Sequence, residues 1–130
     1  HYTMNQIDEI NLLKLVNDIK KSKRIFVYGH GHARTLCTYI QNELSAKQKE
    51  TIICDVDFEK EYNFQDSDLL LLISINGNTV HHVLKCSVNT WLISCKDNIN
   101  FSKNYLYIPT LNNKYNDYLL RHILDFILMY

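Results

Sequence analysis

Two short turns concentrate residues suited to holding an anion. The first reads Gly29-His30-Gly31-His32-Ala33-Arg34 and the second Ser74-Ile75-Asn76-Gly77-Asn78-Thr79. In the second, Ser74, Asn76, Asn78 and Thr79 bring four side-chain donors into six residues, and Gly77 lets a ligand approach the backbone closely. A helix starting there would add unpartnered N–H groups and a partial positive charge, which favour a phosphate monoester. No lysine follows in the manner of a nucleotide P-loop. The same residues also make an ordinary turn in which Asn and Thr cap a helix, and composition does not separate the two readings. The G-x-G of the first turn is a weak dinucleotide signal, with Asp55 placed to act as a ribose acid. Against it, Arg34 holds the third glycine position, where its bulk is expected to oppose close helix–strand packing.

The elements that position these turns follow from hydrophobic periodicity. Ile7, Ile10, Leu13 and Val16 predict an amphipathic helix from Thr3 to about Lys21, with Thr3 and Gln6 as a capping box. Arg24 to Tyr28 is short, β-branched and aromatic and stops at Gly29, as a strand does. Leu36, Ile40 and Leu44 predict a helix from Ala33 to about Lys47, and Thr51 to Cys54 a second strand. Asp55 to Ser67, charged and aromatic, reads as a surface loop or poor helix. Leu69 to Ile73 is apolar at every position, as expected of a strand covered on both faces. A short helix carrying Val80, Val83 and Leu84 follows Gly77. Two further strands, Trp91 to Ile93 and Tyr105 to Ile108, precede Pro109, which has no N–H for a ladder. Tyr115 to Tyr130 reads as a final helix. Strands alternating with helices predict an α/β fold: one domain over residues 1–130, a doubly wound, five-stranded parallel sheet flanked by helices.

Composition narrows the function classes. The 130 residues are 46% hydrophobic and 22% charged, with 3 Gly and 1 Pro, which excludes disordered and collagen-like chains. Lys+Arg and Asp+Glu are both 14, so the net charge is +0, whereas a nucleic-acid binder carries a basic excess. No apolar run approaches the roughly 20 residues of a membrane span, and no secretory-signal pattern is present, so a cytoplasmic location is expected. Cys37, Cys54, Cys86 and Cys95 form no C-x-x-C pair and read as buried free thiols.

Taken together, the two turns resemble the sugar isomerase (SIS) domain, whose pattern is a first strand ending in G-x-G-x-S and a third ending in S-x-S-G-x-T. The resemblance runs from the first helix to the last strand. Its nearest form is the effector domain of RpiR-type transcription regulators, through the helix leading into Lys23-Arg24-Ile25-Phe26-Val27-Tyr28-Gly29. It implies a flavodoxin-like three-layer sandwich, a phosphosugar ligand near the subunit interface of a homodimer, and no cofactor. It further implies that Ser74, Asn76 and Thr79 hold the phosphate through side chains and Gly77 and Asn78 through backbone N–H groups. Gly31, His32 and Ala33 line the same site by this resemblance. The helix-turn-helix domain of such regulators has no counterpart in these residues, so DNA contact is expected only through a domain outside this chain.

The chain departs from the pattern at two positions. Ala33 stands where the family has a serine hydroxyl, and the loss of one hydrogen bond to a charged group costs about 1.5–3 kcal/mol. Asn76 replaces a serine with a longer donor. His30, His32 and Arg34 are the neighbours placed to compensate. Ser94 stands for the family's Thr after strand four.

Other candidates read more plainly. His30, His32, His81 and His82 would make a metal site only if both turns converge, and adjacent histidines on a helix diverge by about 100°, so no metal is expected. An aldose–ketose isomerase needs a positioned base, and Glu43, Asp55 and Asp57 are the carboxylates on offer; each reads as solvated, so a catalytic role is not expected. The stand-alone isomerase, and a degenerate fold kept for dimerisation, are the alternatives to a sensor. Tyr39, Tyr62, Phe64 and Phe101 read as packing residues. The last helix carries apolar residues on more than one face, which the resemblance assigns to the sheet and a partner subunit.

Overall fold

The computed structural model describes residues 9–55, 61–74, 88–94, 104–108, 125 and 129. Along the chain these form α1 (Glu9–Lys21), β1 (Arg24–Gly29), α2 (His32–Ala46), β2 (Glu50–Ile53), β3 (Asp68–Ser74), β4 (Asn89–Ser94) and β5 (Asn104–Tyr107). The strands make one sheet in the order β2-β1-β3-β4-β5, parallel at every pairing. The expected five-stranded parallel α/β sheet is therefore the observed one. Strand bounds differ from the sequence reading by a residue or two, because ladder bonds continue past the last apolar side chain.

Alternation along each strand divides the core. Ile25, Val27, Leu69, Leu71, Ile73, Trp91, Ile93 and Leu106 face both described helices, meeting Leu12, Leu15, Val16 and Ile19 of α1 and Leu36, Cys37, Ile40 and Leu44 of α2. On the opposite face, Phe26, Leu70, Leu72 and Leu92 pack with Tyr62 and Phe64. Each residue of β3 is buried, as its unbroken apolar run requires. The segment read as a surface loop thus serves as a lid over this second face. The Phe26 ring lies 5.0 Å from Tyr62 and 4.8 Å from Phe64, the latter edge-on, a favoured aromatic geometry.

The apolar phase of α1 is corrected. The buried stripe is Leu12, Leu15, Val16 and Ile19, while Ile10 and Leu13 are 79% and 58% exposed. A strict spacing of three turns about 300° per step and walks around the helix, whereas spacings of three and four alternate to hold one face. Ile7 and the Thr3–Gln6 capping box lie outside the described residues.

Two polar clamps fix the sheet's N-terminal edge. Arg24 pairs with Asp68, its register partner across β1 and β3, with Nε 2.9 Å and Nη2 2.6 Å from the carboxylate oxygens. Asp68 also accepts the Gln65 N–H at 2.7 Å. Asp18 of α1 accepts the buried Trp91 indole N–H at 2.8 Å and Asn89 Nδ2 at 3.0 Å, and Asn104 Nδ2 donates to Asn89 at 3.0 Å. That chain of bonds ties α1 to β4 and β5.

Candidate functional site

In a parallel sheet of this order the switch point lies between β1 and β3, where successive connections leave in different directions and a crevice opens beyond the strand ends. The first turn sits there. Gly29 closes β1 opposite Ile73, so Ser74 leaves β3 one residue higher, beside His30. Ser74 pairs in register with Ser94 on β4, and both are buried. The structure therefore brings Ser74 and the G-x-G turn together at one end of neighbouring strands. Asn76, Gly77, Asn78, Thr79, His81 and His82 lie outside the described residues, as does the side chain of His32.

The two glycines of the first turn do different work. A Cβ on Gly29 would lie 2.9 Å from the backbone carbon, carbonyl oxygen and Cβ of Ala33, so α2 reaches β1 only because that side chain is missing. Gly31, the residue before α2, has φ of +65°, a region L side chains rarely adopt. Ala33 is 2% exposed against Gly29, which puts it at the close helix–strand approach. The sequence reading gave that contact to the position of Arg34, and this is corrected: Arg34 points outward and its Nη1 donates to Asp55 Oδ1 at 2.9 Å. The start of α2 has neither a capping side chain nor an acidic residue in its first turn, which leaves the positive end of its dipole to the crevice.

A cleft of about 550 Å³ opens on this turn, lined by Tyr28, Gly29, His30, Gly31, Arg34 and Asp55. That volume is in the range of small-molecule sites, roughly 300–1,000 Å³. Burial, with Cys54 and Asp55 nearby, pushes the Tyr28 phenol above its ordinary value, so it stays protonated and can donate. Cys37 and Cys54 are buried free thiols, each pushed up to about 12 first by burial; Cys54 also donates its S–H to the Val27 carbonyl at 3.3 Å. Neither offers a thiolate near neutrality. Among the described residues no three His, Cys, Asp or Glu side chains gather as metal ligands would. Glu43 follows His32 by eleven residues, about 16 Å along α2, and so stands well away from the cleft. Tyr28 and the Arg34–Asp55 pair are lining groups whose joint placement sequence reasoning missed; the only available signal was that each borders a strand end.

No protein-family model and no curated protein matches the sequence. Solved structures do match the fold. The sugar isomerase domain of an RpiR transcription factor from Sphaerobacter thermophilus superposes with a TM-score of 0.79 at 14% identity, over 98% of this chain and 80% of that one. The Vibrio vulnificus NanR protein, complexed with ManNAc-6P, gives 0.78 at 16% identity over 98% of this chain, which spans only 56% of the NanR chain. An Escherichia coli CFT073 protein in complex with arabinose 5-phosphate gives 0.73 at 11% identity, over 92% of this chain and 75% of that one. With the strand order, the crevice between β1 and β3 and the glycine-built turn in place, the chain has the fold of a sugar isomerase domain.

Proposed function

We propose that the chain is a phosphosugar-binding domain acting as the effector of an RpiR-type regulator, with the phosphate held at the turn from Ser74 to Thr79. The observation that carries this reading is the position of Ser74, at the end of the central strand and beside the G-x-G turn at the sheet's switch point. Two proteins of the same fold are complexed with sugar phosphates, ManNAc-6P and arabinose 5-phosphate, which supports the ligand class. A sensor is favoured over an isomerase because Glu43 lies along α2 away from the cleft and the cleft carboxylate, Asp55, is engaged by Arg34. The regulatory reading includes a homodimer and a DNA-binding domain outside this chain, with ligand favouring one dimer arrangement through its differential affinity for the two.

Calorimetric titration with ManNAc-6P, arabinose 5-phosphate and related sugar phosphates tests the reading. Binding is expected, and Ser74→Ala or Thr79→Ala is expected to weaken it about tenfold or more, the cost of one hydrogen bond to a charged group. Absence of heat with every ligand, or full affinity in both variants, would overturn it.

A further inference from the structure

The cleft extends away from the phosphate turn, and its far wall carries a charged pair with a composition of its own. Cys54 N–H continues the β1–β2 ladder by donating to the Val27 carbonyl at 2.9 Å, so Asp55 stands about level with Gly29. On the other side of β1, Ile73 stands opposite Gly29 and Ser74 follows. Asp55 and Ser74 thus flank the first turn from opposite sides, two strand spacings or about 10 Å apart. A bound phosphate at the Ser74 end leaves the Asp55 end for the rest of a sugar laid across the turn.

The chemistry of that far wall is specific. Arg34 and Asp55 share one bond, Nη1 to Oδ1, and their side chains are 49% and 69% exposed. The bond leaves Asp55 Oδ2 as an acceptor and the remaining guanidinium N–H groups as donors. The two charges cancel, so the pair has little attraction for a second anion, and a phosphate seated against it would meet the carboxylate. Arg34 is therefore poorly placed to replace the hydroxyl missing at Ala33. A donor and an acceptor side by side, with no net charge, suit neighbouring hydroxyl groups, each of which gives one hydrogen bond and takes another. The Tyr28 hydroxyl-bearing ring and His30 complete the lining.

We infer that the Arg34–Asp55 pair is the specificity element of the site, reading the hydroxyl groups of the sugar while the phosphate is held elsewhere. This rests on the phosphosugar reading above. Calorimetry on the whole chain with ManNAc-6P, arabinose 5-phosphate and glycerol 3-phosphate separates the two. Asp55→Asn and Arg34→Gln should each weaken at least one of the two sugar phosphates about tenfold, with a change under twofold for glycerol 3-phosphate, which is too short to span the cleft. The thermal midpoint should hardly move, since exposed ion pairs contribute about 0–1 kcal/mol. Unchanged sugar-phosphate affinity in both variants overturns this inference and leaves the phosphate site standing. Equal weakening of all ligands also overturns it, by assigning the pair to phosphate or to folding. Wild-type protein that binds glycerol 3-phosphate but no sugar phosphate overturns it too, and one that binds nothing overturns both readings.

Discussion

At the scale of single residues, the first turn rests on two glycines with separable physical roles. Gly29→Ala places a methyl group 2.9 Å from Ala33 backbone atoms, so α2 must move away from β1. A loss of about 1–3 kcal/mol is expected from overpacking, read from the midpoint of urea unfolding. Gly31→Ala meets no atom within 4 Å but must hold φ near +65°, at a cost of about 1–3 kcal/mol. The two variants should differ in rescue: Ala33→Gly relieves the Gly29→Ala clash with the Ala33 methyl in part and does nothing for Gly31→Ala. The G-x-G spacing was legible in the sequence, but which glycine served which purpose was not. The same applies to position 34, where a bulky side chain looked obstructive until its ion pair with Asp55 placed it outside the helix–strand contact.

At the scale of elements, the docking of α1 depends on Asp18. Burial alone would raise its pKa, but hydrogen bonds from Trp91, Asn89 and Lys21 more than offset this and hold it below the usual carboxylate value. Asp68, also buried, is held low by Arg24 and the Gln65 N–H. A carboxylate with a depressed folded-state pKa stabilises the fold above its unfolded value of 3.8, and that stabilisation is lost as pH falls through the folded value. Stability should therefore hold near neutrality and decline below about pH 5. Asp18→Asn should cost about 1–3 kcal/mol at pH 7 and flatten the acid decline, as measured by urea midpoints at pH 7 and pH 3.5. An undiminished acid slope would show that Asp18 is not the group responsible. The helix itself was legible from its apolar residues; its buried face was not. Ile10 and Leu13 match a spacing of three as well as the buried residues do, and only contact with β4 and β5 selects Leu12, Leu15, Val16 and Ile19.

At the scale of the whole molecule, Ile10, Leu13 and Met129 turn large apolar side chains outward. Together with the proposed sensor role, this leads us to expect a dimer. Sedimentation at micromolar concentration should give twice the chain mass, with Leu13→Glu shifting the distribution toward monomer; a monomer throughout would count against dimer-based signalling. Among the described residues no helix is long and apolar enough to cross a membrane. The sequence by itself determined the class of fold and the identity of the strand-end turns, because period-two and unbroken apolar runs report burial directly, and Gly, Ser and Asn mark turns through their backbone freedom and short polar side chains. Tertiary structure alone decided what those turns face. Asp55 and Arg34 are 21 residues apart, and only the β1–β2 pairing brings them onto one cleft wall. Likewise Asp18 meets Trp91 across 73 residues, a pairing that depends on strand order and helix phase, both set by the packing of the entire sheet.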